Sequence, residues 1–212
     1  FESMSGITTT GSTILINIEE SPPGILAWRS LLQWLGGIGV IVMAIAIFPM
    51  LSVGGMQLIK AENFENPEKV VPRATSLTRG IFIIYSVLTL IWASLLYFSG
   101  MSFFDSILHS MTTIATGGYS TKSGSIGAFN SHLIDWIIIL GMIFGSLPFV
   151  HYLAMTKGSY RDLIKDSQVR WFLVLLTILV LTIFSLLFLN GSYDWKDSIR
   201  YSAFNVTSIL TG

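Results

Sequence analysis

The sequence contains no cysteine, which excludes disulfides, thiolate-bound metal and a cysteine nucleophile together. It is also short of charge. Asp, Glu, Lys and Arg make up 11% of its 212 residues, under half of the roughly 25% usual in soluble domains. Twelve basic residues balance twelve acidic ones, so no net field draws the chain to nucleic acid or another polyanion. No initiator Met, basic n-region or apolar signal segment opens it. The start FESMSG and the stop SILTG, inside a repeated motif, give the expectation of an internal piece of a longer protein. What the sequence does have is apolar surface, with 52% hydrophobic and 13% aromatic residues. That balance excludes a cytosolic enzyme, a disordered segment and a nucleic-acid-binding domain, and predicts an integral membrane protein in a lipid bilayer.

A bilayer core about 30 Å thick needs about 20 consecutive apolar residues in a helix. Four runs free of Asp, Glu, Lys and Arg qualify: Ser30 to Ile59, Gly80 to Phe104, Trp136 to Thr156 and Trp171 to Tyr193. The first is too long for one span and is expected to end near Pro49, with Gly54 and Gly55 breaking the remainder of the run. The fold class predicted is therefore all-α and membrane-spanning, with four transmembrane helices. Loop charge sets the expected orientation. Lys60, Lys69, Arg73 and Arg79 lie between the first two spans, and Lys157, Arg161, Lys165 and Arg170 between the last two. These two loops are expected inside. The opposite segments, with Arg29, Lys122, Lys196 and Arg200, are expected outside.

The outside segments are long, semi-apolar and rich in Ser, Thr and Gly, as in Phe103 to Ser131. They are too apolar for a solvated loop and too polar for a span. A re-entrant segment fits, because irregular backbone at membrane depth is tolerated where protein buries it or it lines a water-filled cavity. The segments also repeat. FESMSGITTTGS (Phe1 to Ser12) aligns with LHSMTTIATGGY (Leu108 to Tyr119), and FNVTSILTG (Phe204 to Gly212) aligns with the first copy. The copies lie 107 and then 96 residues apart, and each complete interval holds two spans. The unit is span, Thr/Gly loop, span. Converging Thr/Gly loops suit a dehydrated monovalent cation, since backbone carbonyls can replace its water shell. Gly permits the backbone angles that turn successive carbonyls to one side.

FESMSGITTTGSTIL, WRSLLQWLGGIGVIVMAIAIFPML, GGMQLIKAE, HSMTTIATGGYST and SAFNVTSILTG together resemble the Trk/Ktr-type potassium uptake superfamily, and within it the TrkH-like pore-forming subunit. The resemblance implies pseudo-fourfold repeats of span, re-entrant pore loop and span. It divides the chain into a pore loop and second span of a first repeat (1–59), a cytoplasmic linker (60–79), a complete second repeat (80–156), a second linker (157–170) and the start of a third repeat (171–212). It implies potassium ion as the transported species, with no organic cofactor in this chain. The implied selectivity filter comprises Thr8, Thr9, Thr10 and Gly11, then Ala115, Thr116, Gly117 and Gly118, then Thr211 and Gly212. Gly11 and Gly118 favour potassium over sodium within the superfamily. It also implies a bacterial inner membrane, a homodimer and a cytoplasmic nucleotide-binding regulatory subunit (TrkA-like) docked on the basic inside loops.

Arg29 admits two readings: an interface anchor beside Trp28, or support for the pore loops through hydrogen bonds. Gly36, Gly37 and Gly39 in WLGGIGV are expected to allow close helix packing, because no strand precedes them as a nucleotide fingerprint requires. His109 is expected to make a structural hydrogen bond and His151 to meet a satisfied partner. Asp135 is expected to cap its helix, and Pro148 to kink it. Two other functions compete. A serine hydrolase would need a Ser poised against a His, yet no G-x-S-G elbow occurs and the Ser residues sit at repeated positions. An alternating-access cation symporter would bind its ion where Thr/Gly breaks interrupt spans, whereas these clusters fall between spans.

Overall fold

The computed structural model describes residues 1–51, 70–156, 158–191 and 193–212, which contain α-helices, short 3-10 turns and no strand. The first helix, α1, is short and covers Glu2–Ile7. The second, α2, covers Pro23–Leu51. Proline suits its first position, where the missing N–H would have no intrahelical partner. The helix starts about two turns before the expected Ser30 and so contains Arg29. Gly54, Gly55, Lys60, Lys69, Lys157 and the whole of GGMQLIKAE lie outside the described residues.

Helix α3 covers Val70–Phe98. The sequence run suggested continuation to Phe104, but Gly100 adopts φ 103° and turns the chain. Met101 N–H donates to Leu96 O (3.2 Å) and Gly100 N–H to Tyr97 O (3.1 Å), a Schellman ending. Leu96 and Met101 are both buried in the same cluster, which seals that ending. Helix α4, Phe103–Ile114, follows directly, and the Ser102 hydroxyl accepts from Asp105 N–H as its cap.

The expected third span is two helices, α5 (His132–Ser146) and α6 (Phe149–Thr156), bent by 87°. The bend falls at Leu147–Pro148. Leu147 is extended at ψ 146°, as the residue before proline favours. The Tyr152 hydroxyl reaches back across the break to donate to Phe144 O at 2.8 Å. Helix α7 (Tyr160–Lys165) then leads to α8 (Ser167–Leu189), whose N-cap Asp166 accepts from Gln168 and Val169 N–H. Helix α9 covers Trp195–Thr211.

Three stretches are long and apolar enough to cross a membrane: Pro23–Met43, Ser76–Phe98 and Ser167–Leu189. The bent α5–α6 pair supplies a fourth if it counts as one span. The short helices α1, α4 and α9 wedge between these rods, α1 on α2, α4 on α2 and α3, and α9 on α5 and α8. One core joins Ile81, Tyr85 and Trp92 of α3 to Ile114, Phe149 and Tyr152. A second joins Leu96 and Met101 to Ile134, Ile138 and Ile139 of α5 and Ala203 of α9. The architecture therefore holds three helix-to-loop turns against one another.

Candidate functional site

Helices α1 and α4 each run into a Thr/Gly turn, and the two turns share one backbone design, while α9 ends at Thr211 and Gly212. Thr8 N–H donates to Met4 O, Thr9 to Gly6 O and Thr10 to Ser5 O. Ala115, Thr116 and Gly117, 107 positions later, donate to Met111, Thr113 and Thr112 in the same pattern. Thr9 and Thr116 both sit in the left-handed region, at φ 56° and 51°. Gly11 and Gly118 do too, at φ 75° and 78°. A β-branched residue resists that conformation, so the two threonines are held there by the bonds around them. Gly212, aligned with Thr9 and Thr116, is also at positive φ.

The three turns touch. A Cβ at Gly11 would lie 2.0 Å from Gly117 O, and one at Gly212 would lie 3.3 Å from Thr116 O. The first loop thus abuts the second and the second abuts the third, through backbone oxygens. In the first loop the Thr8 and Thr10 hydroxyls meet at 2.8 Å, and Thr9 donates to Thr8 O. Ala115 is buried, with its methyl toward Gly37 and away from the other loops. Thr116 and Gly118 share a cavity with Ser208, Thr211 and Gly212, closed on one side by Met142.

Behind the loops lies a polar scaffold. Arg29, 2% exposed, donates from Nε to Glu2 Oε2 at 2.8 Å, and its guanidinium stacks 4.0 Å from the Tyr119 ring centre. Its Nη1 lies 3.5 Å from Ser120 O. The Tyr119 hydroxyl in turn lies 2.9 Å from Glu2 O and 3.2 Å from Ser12 O. Glu2 is partly buried, which alone would raise its pKa. The Ile14 N–H, the Thr13 hydroxyl and Arg29 more than reverse this and hold its carboxyl below the usual range.

His109, buried on α4, lies 2.8 Å from Asp105 O through Nδ1 and 3.0 Å from Ser120 Oγ through Nε2. A carbonyl can only accept, so Nδ1 carries the proton and Nε2 accepts from Ser120. His151 Nε2 lies 3.0 Å from Asp166 Oδ2. Asp135 does not cap α5. That helix begins at His132, and the Asp135 carboxylate instead accepts from Arg200 Nη1 of α9 at 2.7 Å. Of the WLGG glycines, Gly36 packs on Ile7 O and Gly37 on Tyr85 and Ala115, whereas Gly39 faces open space.

The residue that sequence reading missed is Gln33. It is fully buried on α2, donates from Nε2 to Gly117 O at 2.7 Å and accepts from Tyr119 N–H at 3.1 Å. Its signal was an amide inside the apolar run WRSLLQWLGG, where a polar group in lipid implies a partner. A scan for charged residues passes over it.

Residues 1–195 match the family described as TrkH, cation transport protein. The chain belongs to the TrkH family. The Trk system potassium uptake protein TrkI of Halomonas elongata is 42% identical over 212 residues, covering 100% of this chain and 43% of that protein. The TrkH protein of Escherichia coli K12, also named a Trk system potassium uptake protein, is 39% identical, covering 100% and 44% respectively. The crystal structure of the potassium transporter TrkH from Vibrio parahaemolyticus superposes with a TM-score of 0.85 at 35% identity. It covers 98% of this chain and 42% of that one. This TrkH-family chain therefore spans under half the length of the relatives it matches, and with its apolar helices it is a multi-pass membrane protein.

Proposed function

We propose that this chain contributes three of the pore loops through which a TrkH-family protein takes potassium ions across the membrane. The observation that carries the reading is the mutual contact of the loops, Gly11 on Gly117 and Gly212 on Thr116. Three segments far apart in sequence bring carbonyls and threonine hydroxyls to one place. A dehydrated monovalent cation needs such a set of neutral oxygens. Among the described residues no group of three or more His, Cys, Asp or Glu is arranged to hold a metal, so neutral oxygens are what these loops offer. The names of the related proteins supply the ion, potassium.

In this reading the filter comprises Thr8 to Gly11, Ala115 to Gly118, and Thr211 with Gly212, lined mainly by backbone carbonyls. The repeats run 1–59, 80–156 and 171–212, joined by linkers 60–79 and 157–170. The loops face outward, and the basic linkers face the cytoplasm of a bacterium by the positive-inside rule. A homodimer with a TrkA-like nucleotide-binding subunit at the linkers completes the reading. The symporter alternative gains nothing from the one broken span among the described residues. Its break at Leu147–Pro148 carries no Thr/Gly cluster and is packed by Phe149 and Tyr152.

The test is potassium flux through the full-length parent in liposomes, with ion selectivity read from tracer rubidium and sodium. Saturable rubidium entry with sodium excluded supports the proposal. Equal entry of both ions overturns it.

A further inference from the structure

Gln33 and the Gly117 carbonyl make the second pore loop unlike the third. Gly117 O accepts from Gln33 Nε2 at 2.7 Å and packs over the Gly11 backbone on its other flank. A Cβ on Gly117 would stand 2.4 Å from the Gln33 amide carbon, so the backbone lies flush against that side chain. The second loop thus commits a carbonyl to α2.

The brace is not repeated at the next loop. Gly36 of α2 packs on Ile7 O, and Gly145 of α5 packs on Ile114 O, so these glycines occupy matching places behind successive loops. In that register Gln33 corresponds to Met142. A thioether has no proton to donate, and Met142 only walls the cavity between the second and third loops.

We propose that Gln33 is a positioning residue for ion selection. It fixes the spacing of the first and second loops and withdraws the Gly117 carbonyl from the ion, leaving a ring of unequal oxygens. This rests on the pore reading. The amide does both jobs because it is donor and acceptor at once, with Nε2 for Gly117 O and Oε1 for Tyr119 N–H. A neutral carboxylic acid has the same shape and the same donor–acceptor pair, whereas an ionised one has only acceptors.

The experiment uses the full-length protein in liposomes, comparing the parent, Gln33→Met and Gln33→Glu, with tracer rubidium and sodium entry as readout. Gln33→Met is expected to lower the rubidium-to-sodium ratio by about tenfold, the equivalent of one net hydrogen bond. Gln33→Glu is expected to match Gln33→Met at alkaline pH and to regain the parental ratio on acidification, as the acid regains its proton. A role in folding alone would lower both fluxes in proportion and leave their ratio unchanged. Parental selectivity in Gln33→Met, or a Gln33→Glu ratio that does not move with pH, overturns the proposal. Should Gln33→Met fail to insert, the pH response of Gln33→Glu decides alone. A parent without selectivity would overturn the pore reading and this inference with it, whereas a selective parent with indifferent variants overturns only the role of Gln33.

Discussion

Removing Glu2 should damage the protein more than removing Arg29, although they are two halves of one ion pair. The Arg29 side chain is 3% exposed and that of Glu2 19%. In Glu2→Gln the guanidinium stays buried without a counter-charge, and its Nη2 already has no hydrogen-bond partner. An unpaired buried charge costs about 3–5 kcal/mol. In Arg29→Met the carboxylate keeps the Ile14 N–H at 2.7 Å, the Thr13 hydroxyl at 2.8 Å and access to water. The losses there are one charge-assisted bond, about 1.5–3 kcal/mol, the long contact to Ser120 O and about 1 kcal/mol of stacking on Tyr119, while the methionine chain refills part of the space. The order of stability should be parent, then Arg29→Met, then Glu2→Gln. The double variant should be more stable than Glu2→Gln alone, since the stranded cation is gone. Chemical unfolding of the purified full-length protein in detergent, read as a double-mutant cycle, gives the comparison. If Arg29→Met were the worse single change, or if the two losses simply added, the burial argument would be wrong.

The same carboxyl gives a pH prediction. Its folded pKa lies below the ordinary value of 4.5, so its contribution is fully present above about pH 4.5 and is lost as pH falls below that. A melting curve measured from pH 7 to pH 3 should show an acid limb in the parent that is smaller in Glu2→Gln. Two glycines on one helix should respond oppositely to alanine. Gly36→Ala drives a methyl to 2.1 Å from Ile7 O, whereas Gly39→Ala meets nothing within 4 Å. The first should abolish folded protein on size-exclusion chromatography. The second should be neutral or more stable by about 0.5–1 kcal/mol, the helix-propensity difference.

Much of the fold was legible because the bilayer imposes a length and a polarity that composition reports directly. The pore-loop repeat was legible for a different reason. Gly11 and Gly118 hold left-handed backbone that few other residues accept, so the turn leaves its mark at a fixed spacing. The charge-free run began the first span at Ser30, whereas α2 begins at Pro23 and contains Arg29. A single Arg enters a buried helix when Glu2, 27 positions away, neutralises it, and no local pattern reports that pairing. Asp135 was misread for the same reason: its partner Arg200 is 65 positions distant. Pro148 announced a bend but not its 87° angle, at which Phe149 and Tyr152 pack into the core with Ile81 and Tyr85 of α3. Gln33 holds a loop 84 positions away, and only the assembled structure joins them.

The central claim, that these Thr/Gly loops select the ion, is tested most directly by the sodium permeability of Gly118→Ser in the full-length protein. A side chain at Gly118 meets nothing within 4 Å but must accept φ 78°, a local cost of about 1–2 kcal/mol, so the variant should fold and insert. Gly11→Ser, which would press on Gly117 O, should be the more damaging companion. Gly118→Ser should carry rubidium poorly and admit sodium. Parental selectivity in a correctly inserted Gly118→Ser protein would contradict it.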